Sequence, residues 1–473
     1  MKEIDLKTLT IQKAQDGMES GEFSAEELTG VYLTSIKVKN PELNAYLSVF
    51  DDAINEAKEI DQKRARGEKL GTLAGIPIAI KDVIMVKGRE VRAASKVLSG
   101  HIATYDATAV VKLHQAGAVL LGMTNADEFA MGASNENSAY GPCRNPHDPS
   151  RVSGGSSGGS ACAVAADMAL AALGSETGGS VRYPAALCGI VGLKPTYGAV
   201  SRYGLMPMAS SFNQIAPAAK TVADTETIFN IIRGRDDKDA NSLEPVFANS
   251  PNPKIIGVPN FSPEGMDERV RNNYELSVER LGKLGYEMKE VKLESLRYAV
   301  ACYYILVPAE VSADMARFDG VRYGAHIDGA NLLEDYGMTR GVCFGKEVRR
   351  RVILGTYVLS AGYYDAYYYK AARVRELIRR DFVDIFKQVD AIVMPTSPRP
   401  AYKLGEISSN PLLLYLEDIF TAPANLAYIP AISVPSGTVR EDDVDLPLGL
   451  QIIAPHLRED VLFDIGKKFL GEK

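Results

Sequence analysis

SGGSSGGSACAVAADMALAALGSETGGS, residues 153–180, places two glycine- and serine-rich loops on either side of a short apolar run. The run itself divides into two elements. SACAVAADMAL reads as a helix and AALGSE as a buried strand. A helix followed closely by a strand is the repeating unit of an α/β protein, and the alternation continues outward in both directions. Upstream, GIPIAIKD (75–82) reads as a buried strand ending at a charged pair, DATAVVKLHQAG as a helix closed by Gly117, and AVLLGMTN as a strand. Downstream come GIVGLK (strand), ADTETIFNIIRG (helix), KIIGVP (strand) and an amphipathic helix from Asp267 to Gly285.

The ends of the chain complete this picture. Ser24 with Glu27 forms a capping box before one helix, and DDAINEAKEIDQKRARG is a second helix stopped by Gly67. Residues 295–388 are rich in Tyr and Arg and carry a helical pattern with no convincing strand. After them DAIVMP, AISVP and GLQIIAP return as apolar runs that rejoin the sheet. The expected fold is α/β, a mixed and largely parallel central sheet sandwiched by helices. It divides into an N-terminal helical segment (1–70), a core (71–294), a helical insertion over the cleft (295–388) and the C-terminal part of the core (389–473).

The 473-residue chain has 46% hydrophobic and 24% charged residues, ordinary values for a globular core. Its net charge of −7 argues against strong direct binding of nucleic acid, which needs a basic surface. KEVRRR (346–351) is a local exception and reads as a solvated helix face. The opening MKEIDLKTLTIQKAQDG lacks the apolar stretch of a secretory leader, and no run of about 18 apolar residues predicts a membrane span. Five cysteines (143, 162, 188, 302, 343) without a Cys-x-x-Cys pair suit reduced thiols and a cytoplasmic location. Five histidines without ligand spacing give no metal site.

The glycine–serine loops flank dense apolar sequence, so a linker reading fails. A tight turn, an anion cradle and a catalytic loop all stay open, although neither phosphate-loop spacing is present. A serine nucleophile needs a base and convergent donors for the oxyanion. Gly178 and Gly179 before Ser180 would free the backbone N–H groups of Thr177 to Ser180 to point at one spot. No histidine lies close in sequence to serve as base. Lys81, ending the apolar strand IPIAI, could serve if burial keeps it neutral; as an ordinary strand-end lysine it would face solvent.

GIPIAIKD, RVSGGSSGGSA and GSETGGSVRYPAALCGIVGLKPTYG, in this order, closely resemble the amidase signature family. The likeness extends from about residue 60 to the C-terminus. It implies a Ser–cis-Ser–Lys triad, with Ser180 as nucleophile, Ser156 as the bridging serine with a cis peptide, Lys81 as base, and Thr177, Gly178 and Gly179 at the oxyanion. Arg182, Ser157 and Ser175 would brace the loops. DEFAMGASNENSAYGP (127–142), ARFDGVRYG (316–324), GKEVRRRVILGTYVLSAGYYDAYY (345–368) and LEDIFTAPANLAYIPAISVPSG (416–437) are similar to the glutaminase A-subunit branch of that family. That branch implies hydrolysis of glutamine to ammonia for tRNA-dependent transamidation, with a B subunit handling ATP, Mg and charged tRNA, a small C subunit, and no cofactor in this chain. By motif position, Asp418 would meet the amine of glutamine and Arg351 its carboxylate, with Tyr303 or Tyr304 nearby. Val83, Glu176, Tyr183, Ala199, Asn213 and Ala216 differ from the residues usual in that branch. The alternatives are a stand-alone amidase for small amides, aryl amides or carbamates, and a non-catalytic scaffold subunit.

Overall fold

The structure is a computed structural model that describes residues 4–244, 252–261, 263, 265–407 and 410–472. Part of the opening segment read for a leader, residues 1–3, lies outside them. The chain starts with helices α1 (Ile11–Ser20), α2 (Ala25–Leu43) and α3 (Ala53–Ala65). The capping box at Ser24 and Glu27 forms as the sequence predicts, with each side chain bonded to the other's backbone N–H. Asp61 of α3 adds its carboxylate to the same helix end, accepting from Ala25 N and Glu26 N at 2.9 Å each. The N-terminus of α2, where backbone donors would otherwise lack partners, is thereby pinned to α3.

Eleven strands among the described residues join in one sheet of order β1-β3-β2-β4-β6-β5-β10-β11-β9-β7-β8. They are β1 (Tyr46–Val49), β2 (Pro77–Lys81), β3 (Val119–Thr124), β4 (Ala171–Glu176), β5 (Val191–Lys194), β6 (Gln214–Ala219), β7 (Ile255–Pro259), β8 (Glu287–Val291), β9 (Ala391–Pro395), β10 (Ala431–Glu441) and β11 (Val444–Ile453). In β2, β3, β4, β5, β6 and β9 every residue is buried, which requires cover on both faces and explains their unbroken apolar runs. The sheet is mixed as expected, but parallel pairs are confined to β2–β3, β2–β4, β7–β8 and β7–β9, fewer than expected. Two features account for this. Asp442 and Asp443, both at positive φ, turn β10 back onto β11 as a tight hairpin. The unforeseen β6 runs antiparallel to both of its neighbours.

Pro217 made β6 hard to read, because proline argues against a central strand. The strand accommodates it because pairing with β5 covers only Ala218 and Ala219, so Pro217 faces a partner on the β4 side alone. Helices α4 (Thr108–Gln115), α5 (Gly158–Ala165), α7 (Val222–Ile232) and α8 (Glu268–Lys283) follow the predicted alternation, whereas the short α6 (Arg182–Cys188), between β4 and β5, was not foreseen. Residues 294–388 contain no strand and build α9 (Ala299–Asp314), α10 (Leu332–Cys343), α11 (Lys346–Leu359) and α12 (Lys370–Ile385). By length and composition the stretch Glu294–Arg317 could cross a membrane, yet it is mostly buried inside this fold, where α9 packs on α11 and α12. KEVRRR is no simple solvated face: Glu347, Val348 and Arg351 turn inward, and Lys346, Arg349 and Arg350 face out. All five cysteines are buried and free.

Candidate active site

Strands β2 and β4 are parallel neighbours, with Ile80 opposite Leu173. Their C-terminal ends therefore emerge side by side, bringing Lys81 next to Ser175. The edge beyond the C-termini of parallel strands is where α/β sheets most often build sites. Lys81 Nζ lies 2.7 Å from Ser156 Oγ, 2.9 Å from Ser157 Oγ, 3.0 Å from Ser175 Oγ and 3.3 Å from Ser175 O. Lys81 and Ser156 are both wholly buried, while Ser180 is 7% exposed, so the innermost groups hold the base and the outermost the candidate nucleophile.

Burial pushes the Lys81 amine down to about 7, against the opposing pull of Asp127 and Glu176. The hydrogen inventory then orients the neutral amine. Ser157 Oγ donates to Ser175 O at 3.0 Å, and that carbonyl can only accept. Both can only accept from Lys81, so its lone pair is left to a hydroxyl, that of Ser156 at 2.7 Å or of Ser175 at 3.0 Å. Lys81 is the only hydrogen-bond partner of Ser156 Oγ among the described residues.

The Gly155–Ser156 peptide is cis, the geometry the family resemblance implied. A Cβ on Gly155 would overlap the Asp127 carboxylate and sit 2.7 Å from Asn135 N, so the loop needs glycine here. Asp127, missed in the sequence, underlies this loop. It accepts from Asn135 N and Asn137 N, and its own N–H donates to Ser156 O at 3.2 Å. Burial raises the Asp127 carboxyl to about 7.

Across the site, the nucleophile loop is held from behind. Glu176 Oε2 accepts from Val181 N (3.0 Å) and Arg182 N (3.1 Å), and its other oxygen pairs with the Arg182 guanidinium. Burial alone would raise the Glu176 carboxyl, but Arg182 holds it below the usual range. Arg182 reaches further, to Thr421 O, Asn425 Oδ1 and Gln451 Oε1. In this setting no protein acceptor among the described residues takes the backbone N–H of Thr177, Gly178, Gly179 or Ser180. Backbone donors left without an acceptor are available to an oxyanion. Ser180 Oγ makes no hydrogen bond among the described residues; its loop meets the Ser156 loop through Ser157 N donating to Ser180 O at 3.0 Å.

The residues expected at the substrate's far end also gather. Tyr304 OH donates to Asp418 Oδ2 at 2.6 Å, and burial raises the Asp418 carboxyl to about 6. The Arg351 guanidinium lies over the rings of Tyr304 (5.3 Å) and Tyr415 (5.8 Å), which stack on each other at 3.8 Å. Its charge is secured by Glu347: burial would lower the guanidinium, but the carboxylate holds it above its ordinary value. Arg351 is therefore paired through Nε to Glu347 at 2.8 Å, not to Asp418, and no group among the described residues accepts from its two Nη. Tyr303 packs edge-on against Tyr304 at 5.0 Å and also reaches the nucleophile loop, where a Cβ on Gly178 would strike its phenol. Glu347 could have been found from its i, i+4 spacing to Arg351.

Among the departures from the family pattern, Glu176, Tyr183 and Asn213 touch residues of the site. Tyr183 OH donates to Glu417 Oε2 at 2.7 Å, next to Asp418. Asn213 Oδ1 accepts from Thr177 Oγ1 at 3.1 Å. Val83, Ala199 and Ala216 are buried. No group of three or more His, Cys, Asp and Glu among the described residues could hold a metal ion.

Known proteins are similar to this chain in sequence and fold. A family model described as amidase matches residues 27–463. The A subunit of the Koribacter versatilis glutamyl-tRNA(Gln) amidotransferase is 49% identical, covering 98% of both chains. The solved structure of its counterpart from Thermotoga maritima superposes with a TM-score of 0.81 at 41% identity, covering 99% of this chain and 95% of that one. The peptide amidase of Stenotrophomonas maltophilia gives 0.80 at 29% identity, covering 99% and 97%. With buried Lys81 against Ser156, a cis peptide before Ser156 and unpaired donors around Ser180, the chain belongs to the amidase family.

Proposed function

We propose that this protein is the glutamine-hydrolysing subunit of a tRNA-dependent amidotransferase, releasing ammonia that converts Glu-tRNA(Gln) to Gln-tRNA(Gln). Neutral Lys81 takes a proton from Ser156 as Ser156 takes one from Ser180. Ser180 Oγ attacks the side-chain amide carbon, and the N–H groups of Thr177 to Ser180 hold the oxyanion. The proton returns through Ser156 to the leaving nitrogen, which departs as ammonia. Water then hydrolyses the acyl-enzyme by the same relay, giving glutamate. Arg351 meets the α-carboxylate with its two free Nη groups, and Asp418, oriented by Tyr304, meets the ammonium.

The observation that carries this reading is the opposed pair of buried charges, Arg351 and Asp418, on a chain near-fully alignable with A subunits. A zwitterionic substrate needs both signs, and a simple amide needs neither. ATP and Mg belong to a partner B subunit, with a C subunit completing a cytoplasmic assembly that also supplies the tRNA-binding surface. The likeness to a peptide amidase supports a second reading, a stand-alone amidase for small amides, aryl amides or carbamates. Ammonia release from glutamine by the chain with its B and C subunits, compared with turnover of aryl amides, separates the two. Aryl-amide turnover without any glutamine hydrolysis overturns the first.

A further inference from the structure

Glu128 follows Asp127 directly, and its side chain is buried although neither the relay nor the substrate contacts require it. Its Oε1 accepts from Ser95 Oγ at 2.5 Å, and its Oε2 accepts from Gly345 N at 2.8 Å. Gly345 is the N-cap of α11, a cap with no side-chain bond of its own. A Cβ at Gly345 would fall on Glu128 Oε2, so the carboxylate and the helix start are fitted to each other. Glu347 and Arg351 stand in the first two turns of that helix. An anion suits this end of a helix, where N–H groups point outward.

The other side of Glu128 is tied to the reacting groups. Its neighbour Asp127 carries the Ser156 loop. Phe129 N donates to Ala93 O at 2.8 Å, and the Phe129 ring packs on Phe318 at 4.6 Å and Phe344 at 5.9 Å. Asp82, next to Lys81, accepts from Arg92 N and Ala94 N and so sets the loop that presents Ser95. The backbone of Glu128 is thus fixed to the relay, and its carboxyl is fixed to α11.

We propose that Glu128 is a positioning residue: it holds the start of α11 against the reaction centre and thereby sets where Glu347 and Arg351 meet the substrate's head group. The proposal rests on the reading of Arg351 as the carboxylate contact. In Glu128→Gln the amide oxygen can still accept from Gly345 N and the amide nitrogen can donate to Ser95 Oγ, so the link survives. Glu128→Ala removes it.

The test uses the full chain with its B and C subunits, glutamine, and propionamide as an amide without a charged head group. Glu128→Ala is expected to raise KM for glutamine about tenfold or more while kcat/KM for propionamide changes less than about threefold, since misplacing a binding group costs far more than removing a distant one. Glu128→Gln restores the wild-type KM. Gly345→Ala reproduces the defect in the wild type and adds nothing in Glu128→Ala, because the methyl group then has room. An unchanged glutamine KM in Glu128→Ala, an equal loss on both substrates, or a Gln variant no better than Ala overturns the proposal. If the wild type hydrolyses no glutamine, the substrate reading fails separately. Amide exchange over residues 346–351 then decides: faster exchange in Glu128→Ala than in Glu128→Gln upholds the link, and equal exchange removes it.

Discussion

Lys81, Ser156 and Ser175 come from strand ends and loops with almost no exposed position, whereas Arg351 comes from a helix, α11, that also presents large side chains to solvent, Ile353 and Tyr357 among them. The two regions solve different problems. The reacting end must keep an amine neutral, which burial achieves and a rigid sheet maintains. On the proposed reading of Arg351 and Asp418 as substrate contacts, the recognition end must keep two opposite charges ionised, which requires partners: Glu347 for Arg351 and Tyr304 for Asp418. Reaction and recognition can therefore be damaged separately.

Removing the nucleophile is the severest test of that separation. Ser180→Ala should lower kcat on glutamine and on small amides by about 10⁴-fold or more, while glutamine binding measured by calorimetry stays within about threefold. Loss of binding along with turnover would mean the two ends are not independent. Next in size is the brace behind the loop. Arg182→Met leaves Glu176 charged and unpaired in the interior and should cost about 3–5 kcal/mol of stability in chemical denaturation. A cost near zero would show that the buried pair does not hold the loop.

Arg351→Met is expected to raise KM for glutamine about 10²-fold, with little change in kcat/KM for a neutral amide. An equal effect on both substrates would assign Arg351 to the core. The pH dependence sharpens the contrast further. Lys81 must be neutral to act, so kcat/KM for a neutral amide should climb with slope one below about 7 and level above it. Glutamine also needs ionised Asp418, so its profile should steepen to slope two below about 6. A single slope throughout would remove Asp418 from recognition of the ammonium. The smallest effect belongs to Tyr183→Phe, which deletes one hydrogen bond to Glu417 and should cost about 1–2 kcal/mol of stability.

Strands with both faces buried were legible because their apolar runs are continuous, and helices because caps such as Ser24 and stops such as Gly67 punctuate them. Strand β1 is short, β8 is an edge strand with a polar pattern, and β6 contains proline, so local pattern failed at all three. Within the site, Lys81, Ser156 and Ser180 could be named from motifs, as could Arg351 and Asp418. Glu347 carried a signal in its i, i+4 spacing to Arg351, but Asp127, Glu128 and Glu417 could not be assigned, since nothing in the spacing of an isolated carboxylate says what it will accept from.

The sequence by itself determined the alternation of helices and strands, the glycine–serine walls and the side chains able to react, because these depend on local periodicity and residue chemistry. The tertiary structure alone decided that Lys81 is sealed from water beside Ser156, that four backbone donors around Ser180 find no acceptor among the described residues, and that Glu347 rather than Asp418 neutralises Arg351. Those outcomes depend on burial and on partners brought from distant parts of the chain. Only packing fixes which charge is desolvated and which is answered.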